Sequence, residues 1–444
     1  MLEKILELTA QHRFQEVRRL LEEMNAVDVA ELFESLEEAE AVMVFRLLPK
    51  REAAEVFSYM SADVQKNIVQ GITDRELSVI IDDLFIDDAV DFIEEMPASV
   101  VKRVLANADR ETRTLINRFL QYEEDSAGSL MTIEFVGLKK EMTVQDAFET
   151  IRRTGPDKET IYTCYVMSPS RKLEGVVTVK DLLLNDYQTL VGDIMDTHVI
   201  YAQTDDDKEE IANLFHKYDF LSLPVVDKER RLVGIITIDD AVEVLQQENT
   251  EDFEIMAAVT PSEAPYLKTS VFEHAKNRTL WLLLLMLSAT LSGAILTRFQ
   301  TAFEVMPILV SFIPMLMNTG GNCGSQASTL MIRGLALGEI RARDFLRVWF
   351  KEIRVALIVG LALAFINIFY TYFLYGHNLL LAVAVSVSLY ATVLIAKSIG
   401  CLLPIGAEKL KLDPALMASP IITTLVDICA LFIYFTVAKA ILNL

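Results

Sequence analysis

Apolar and polar positions divide the 444 residues into three patterns. Over the first 125, short runs such as VDVAELFESL, AEAVMVFRLL, REAAEVFSYM, DVQKNIVQGI and DDAVDFIEEM repeat apolar residues at helical spacing. Pro49, Gly71 and Pro97 separate them. Helices this short cannot bury a face alone, so they are expected to stack as a small α-solenoid. From 126 to 248 the apolar runs shrink to strand length and the pattern occurs twice. Leu130-Met131-Thr132 matches Ile194-Met195-Asp196, and LEGVVTVKDLL matches LVGIITIDDAV. Each copy reads as strand, helix, two strands, helix, giving one α/β unit over 126–190 and a second over 191–248.

The third pattern is long uncharged stretches. Thr279–Thr297 is long enough for one membrane span. Val305–Ile332 is uncharged but interrupted by Pro307, Pro314 and the run from Asn318 to Gly324. A glycine-rich break is expected there, lining a cavity, and its small residues also suit close helix contact. Between Val355 and Ala407 the only charge is Lys397, and Gly376-His377-Asn378 is the natural turn, giving spans at about 355–375 and 379–403. A last span, about 414–440, makes five within a membrane region of 279–444. Residues 249–278 join it to the soluble part as a connecting segment, helical at its ends with a break at Pro261 and Pro265.

Charge follows the same division. Residues 1–270 hold 55 acids and 28 bases, and the remainder 8 acids and 13 bases. A net −27 on the soluble part argues against nucleic acid and suits a surface that collects cations. Arg278, then Arg333, Arg341, Arg343, Arg347, Lys351 and Arg354, then Lys409 and Lys411 all fall on one side if there are five spans. That side carries the soluble part, so the chain is expected in the cytoplasmic membrane with its N-terminal regions inside and its C-terminus outward. The start is a charged amphipathic pattern without a signal-type apolar core. Cys164, Cys323, Cys401 and Cys429 have no metal-type spacing and read as reduced packing residues.

Asp427 is the one acid in the uncharged stretch Pro414–Ala438. A carboxylate near the centre of a membrane helix costs roughly 2.5–3.5 kcal/mol on the insertion scale, so it normally faces a water-filled path, a partner or a cation. The plainer reading is a protonated or hydrogen-bonded acid between packed helices. With Asn322 and Gln326, Asp427 would suit an ion that keeps part of its water, as Mg²⁺ does. Charge alone does not separate Mg²⁺ from Co²⁺, Ni²⁺ or Mn²⁺.

The repeated strand G-[VI]-[VI]-T, followed by a helix-opening acid, resembles a tandem CBS-domain pair. Thr178 with Asp181, and Thr237 with Asp240, hold its signature positions. In that family such pairs bind a nucleotide ribose, and ATP or another adenine nucleotide is the implied ligand. The alternative, favoured on the residues alone, is helix capping. The order of helical region, CBS pair, connecting helix and five spans resembles the MgtE family of magnesium channels. So do the runs PMLMNTGGNCGSQASTLMIRGLA (314–336) and LPIGAEKLKLDPALMASPIITTLVDICALFIYF (403–435). The resemblance implies a homodimer in membrane lipid, with one Mg²⁺ pore lined by the second and fifth spans and Asp427 at its ion site. It also implies regulatory Mg²⁺ on the cytosolic side that holds the channel shut. The acids assigned to it are Asp87 and Asp91, Asp207, Glu209 and Asp219, Asp240 and Glu243, Glu248, Glu251 and Asp252, and Asp413.

Two other classes remain open. A proton-coupled secondary transporter for divalent cations would use Asp427 as a relay, although no inverted repeat is evident. A membrane enzyme regulated by CBS domains lacks a nucleophile–base pair, an H-E-x-x-H or a phosphate loop. His198, His216 and His274 lie outside ligand spacing.

Overall fold

The computed structural model describes residues 2–262, 266–267, 269–299 and 304–442. The chain divides into two compact units, Met1–Leu245 and Gln246–Leu444.

The first unit begins with ten helices of eight to ten residues between Leu2 and Phe119. Their ends follow the sequence closely. Pro49 and Pro97 occupy N-caps, and Thr73 and Glu76 close a capping box. The helices pack on their next-but-one neighbours, Ala26–Phe33 on Lys50–Ser58 and Glu38–Phe45 on Ala62–Gly71. Phe33, Phe45, Phe57 and Phe92 run edge to face through the core, with centroids 5.1–6.3 Å apart.

The expected α/β repeat follows. β1 (Val136–Leu138) pairs parallel with β2 (Thr163–Met167), which pairs antiparallel with β3 (Leu173–Thr178). The second copy repeats this with β4 (Ala202–Gln203), β5 (Ser222–Val226) and β6 (Leu232–Thr237). The matched tripeptides cross between copies. Thr132 bridges Ile235 on β6, and Asp196 bridges Val176 on β3. This explains the glycine of each motif: a Cβ on Gly175 would sit 2.7 Å from Met195 Sδ, and one on Gly234 2.7 Å from Met131 Sδ. Tyr165 and Ser222 share a buried 2.7 Å hydrogen bond between the copies. Met131, Phe215, Ile236 and Ala241 join one continuous core with the short helices. The helix that closes the second copy, Ile238–Met256, runs unbroken through residues 248 and 249. Pro261 lies in the irregular chain beyond that helix, and Pro265 lies outside the described residues.

In the second unit, four helices among the described residues are long and apolar enough to cross a bilayer. They are Val271–Arg298, Ala342–Leu374 with its opening turn, Leu379–Lys409, and Pro414–Leu442 with its opening turn. A fifth long helix, Ile313–Ala336, is interrupted by polar and small residues and is not one of these four. The turn falls at Gly376-His377, both with positive φ, and Asn378 caps the next helix.

Two expectations are corrected. Asn318–Gly324 is continuous helix rather than a break. Its glycines are contact notches: a Cβ on Gly320 would be 2.7 Å from Thr392 Cγ2, and one on Gly324 2.6 Å from Ile422 Cγ2. Helix packing therefore outweighs the intrinsic cost of glycine. The span expected to end at about 403 runs on as helix through Pro404 to Lys409. Pro404 is buried, and packed neighbouring segments support the helix across it, as in other membrane helices.

Candidate functional site

Asp427 and Thr423 stand one turn apart on Ser419–Leu442. Met317, Asn318, Gly321 and Asn322 form a matching face of Ile313–Ala336. Together with Ile313 and Pro314 they line a cavity of about 400 Å³. Asn322 Nδ2 donates to Asn318 Oδ1 at 3.2 Å, which turns both amides along the wall. Gly321 admits the neighbouring helix, since a Cβ there would meet Thr423 Cγ2 at 2.9 Å. Ser328 Oγ donates to Met417 O at 2.9 Å and ties the helix to the turn Pro414–Met417. The wall thus offers one carboxylate, two amides and a hydroxyl. Gln326 is exposed and lies outside the lining. Asn318 was missed in the sequence, although its spacing of four from Asn322 is the signal that finds it.

A second group of acids lies in the first unit. Asp87, Asp88 and Asp91 sit on the helix Ile86–Glu94, and Asp239, Asp240 and Glu243 open the helix Ile238–Met256. Burial, then the nearby Asp240 charge, pushes Asp87 well above the usual carboxylate range. The same causes raise Asp88 to about 6 and Asp91 to about 7. The Asp91 residue is nonetheless exposed to solvent as a whole. Burial raises Asp240 to about 6, against its bond from Thr237 Oγ1 at 2.6 Å. Glu159 of the first α/β copy completes the group. Burial, Asp239, Asp88 and Asp240 raise it to about 8. Sequence reading missed Glu159 because it stands in a loop without a motif, held by its N–H to Glu134 O at 2.9 Å. Several acids facing one another with raised pKa values are a set short of positive charge.

In the second unit Asp252 is raised to about 6 by burial and then by Asp413 and Glu251. Asp413 Oδ1 accepts from Ala415 N at 2.7 Å. Ile255 and Met256 pack against Ile332, Ala415 and Ala418, which brings these acids beside the end of Ile313–Ala336. Glu248 lies one turn before Asp252 on the same helix.

Other assigned acids are not brought together. Asp207 caps Lys208–Tyr218, accepting from Glu209 N at 2.9 Å, while Asp219 follows that helix's far end. Twelve helical rises separate them by about 18 Å. Thr178 Oγ1 donates to Asp181 Oδ2 at 2.5 Å in a complete capping box. Thr237 and Asp240 repeat the bond, so both pairs cap helices here. Among the described residues, no three His, Cys, Asp or Glu side chains already form a metal-holding set.

Comparison with known proteins adds three family matches. The MgtE model, described as a divalent cation transporter, matches residues 313–437. The MgtE intracellular N domain matches 24–125, and the CBS domain matches 127–186 and 191–247. The magnesium transporter MgtE of Thermus thermophilus is 40% identical over 356 residues, covering 80% of this chain and 79% of that protein. The magnesium transporter MgtE of Bacillus subtilis is 34% identical over 357 residues, covering 80% and 78%. Among solved structures, the cytosolic domain of the Mg²⁺ channel MgtE in complex with ATP aligns with a TM-score of 0.52 at 38% identity, covering 55% of this chain and all of that one. The soluble part of a magnesium transporter aligns at 0.53 and 29% identity, covering 56% and 97%.

Proposed function

The chain belongs to the MgtE family of membrane magnesium transporters, and from that premise we propose that it is a Mg²⁺-selective channel gated by cytosolic Mg²⁺. The observation that carries the reading is the cavity walled by Asp427, Asn318, Asn322 and Thr423. A single carboxylate supplies charge, and amide and hydroxyl oxygens accept from the water an ion retains. Mg²⁺ favours such a site because it dehydrates reluctantly and is usually held through one or two carboxylates. In a homodimer two Asp427 carboxylates would share one axial ion. Counting the Ile313–Ala336 helix as the second span then gives five, its polar face turned to the ion path, with the C-terminus outward. The next-but-one stacking of the short helices supports an N-terminal α-solenoid.

Gating rests on the two acid groups. Like charges about 4 Å apart repel by about 4 kcal/mol at an effective dielectric of 20. A dication between such carboxylates favours their approach, so a Mg²⁺-bound closed arrangement would give way when cytosolic Mg²⁺ falls. The helix Ile238–Met256 carries Asp240 of one group and Asp252 of the other. That shared helix supports mechanical coupling between sensing and the pore. Adenine nucleotide at the CBS pair would have to engage Thr178 and Thr237 without displacing their caps.

Divalent flux into proteoliposomes tests the proposal. Mg²⁺ flux should follow the cation gradient without a pH gradient, and should fall as Mg²⁺ is raised on the cytosolic face. Flux that requires a proton gradient would overturn the channel reading.

A further inference from the structure

The segment Arg341–Arg354 contains five cations and two acids. Both acids are occupied. Glu352 is buried against Lys397, and Asp344 accepts from the Arg341 N–H at 3.3 Å. Arg343, Arg347, Lys351 and Arg354 are all exposed, and among the described residues none of them forms an ion pair.

Their spacing of four, four and three lines them along one face of the helix Phe345–Leu374 and the turn before it. The line continues without interruption. Ile358, Leu361, Phe365 and Phe369 follow at four, three, four and four, and are 72%, 61%, 64% and 50% exposed. The helix buries the opposite face, through Glu352, Ala356, Gly360 and Asn367. One exposed stripe therefore passes from four cations to four large apolar side chains. The apolar part covers about 16 Å of helix, close to one leaflet of hydrocarbon.

We propose that this stripe binds an anionic phospholipid of the cytoplasmic leaflet, its phosphate between Lys351 and Arg354 and its acyl chains along Ile358–Phe369. Charge complementarity selects the occupant: among the described residues the cations have no acidic partner, Arg354 Nε donating only to Phe350 O at 3.3 Å, and the side chains beyond them are acyl-like in polarity. The guanidinium groups of Arg347 and Arg354 offer forked donors to phosphate oxygens. Orienting the helix needs only a count of basic residues on one side. It does not explain why four of them extend the lipid-facing line. Clusters of four or more basic residues beside a membrane helix are the usual basis of anionic-lipid recognition.

The inference rests on the proposed membrane reading, so binding and transport are measured separately on the full chain. Native mass spectrometry of detergent-purified protein would count retained phosphatidylglycerol against phosphatidylcholine. Each cation near an anionic headgroup is worth about a fivefold preference. The wild type should therefore prefer phosphatidylglycerol at least fivefold, and R347Q/R354Q should lose most of that preference. Arg341, Arg343 and Lys351 remain in that variant to hold the helix orientation. R347K/R354K should retain the preference, which guards against simple misfolding. Inorganic phosphate at matched ionic strength should not displace the lipid. Equal retention of both lipids by the wild type, or a preference unchanged in R347Q/R354Q, would overturn the proposal. Lost Mg²⁺ flux with intact lipid preference would count against the transport reading alone.

Discussion

Lys397 Nζ lies 3.4 Å from Glu352 Oε2, and the two side chains are only 6% and 9% exposed. They join the helices Phe345–Leu374 and Leu379–Lys409. Farther along, Asn367 Nδ2 donates to Ser386 Oγ at 2.9 Å between the same two helices. A cation–π contact, Lys409 Nζ 5.1 Å from the Phe345 ring centre, also joins them, so the pair is one of a few polar fastenings on a mostly apolar seam. Breaking a buried ion pair by removing one partner costs about 3–5 kcal/mol, because the other charge is left uncompensated. Lys397→Met should therefore lower the thermal midpoint of the purified protein sharply. The double substitution E352L/K397M should recover most of the loss, since neutral replacement of both partners is often tolerated. A single variant as stable as wild type would contradict this account.

Sequence reading found half of this relationship. Lys397 stood out as the one charge between Val355 and Ala407, while Glu352 lay just outside that stretch between Lys351 and Arg354, and no pattern singled it out. A similar limit applied at the acids. Asp87, Asp91 and Asp240 came from the family resemblance, but Glu159 is distant in sequence and no periodicity points to it. The α/β repeat was legible because Gly175 and Gly234 are forced by the crossing methionines. The same residue type misled in Asn318–Gly324, because glycines that break an isolated helix also let two helices touch.

The glycine contacts give a paired test. A Cβ on Gly400 would lie 2.2 Å from Gly324 O, a backbone atom that cannot turn aside. Gly406, two turns on, has nothing within 4 Å of its Cβ position. Gly400→Ala should abolish Mg²⁺ uptake and reduce yield, while Gly406→Ala should leave both within about twofold, as a strain-free helical Gly→Ala change does. Equal effects would mean that the helices yield more easily than their backbone contact implies.

At the cavity, Asp427→Ala should remove Mg²⁺ flux without unfolding the protein, and Asp427→Asn should match it if charge is required. Asn318→Ala with Asn322→Ala should weaken flux less, by about tenfold, because two neutral acceptors from retained water are lost. Circular dichroism and gel filtration establish that each variant is folded. Wild-type flux through Asp427→Ala would remove this residue from the ion path.

The acids of the first unit predict an unusual pH dependence. Asp88 and Asp240 near 6, Asp91 near 7 and Glu159 near 8 all lie above ordinary carboxylate values. The native state therefore binds more protons than the unfolded chain from about pH 4 upward, and stability falls as pH rises through these values. In chelator the cytosolic unit should melt at a higher temperature at pH 5 than at pH 8. Added Mg²⁺ should raise the melting point more at pH 8, where the carboxylates are ionised. A melting point that rises from pH 5 to pH 8 in chelator would show that the acids do not repel one another in the folded state.

The last prediction concerns gating by the same acids. Removing residues 1–125 is a poor test, because it would uncover Phe215, Ile236 and Ala241, which share the core of the short helices. Point substitutions D88N/D91N keep that packing and remove two charges. They act in two opposed ways. They relieve repulsion, which favours closure without metal, and they remove ligands, which weakens closure by metal. A dication midway between two carboxylates interacts with each through twice the charge at half their separation, so its attraction exceeds their mutual repulsion. Lost bridging should dominate at millimolar Mg²⁺. D88N/D91N should therefore still conduct at cytosolic Mg²⁺ levels that close the wild type, with a shallower dependence on concentration. Glu159→Gln should shift the closing range in the same direction but less, since one charge is removed rather than two. Patch recordings with Mg²⁺ stepped on the cytosolic face would read both shifts. Closure over the wild-type range by both variants would mean that this acid group does not sense Mg²⁺, and gating would then have to rest on Glu251, Asp252 and Asp413.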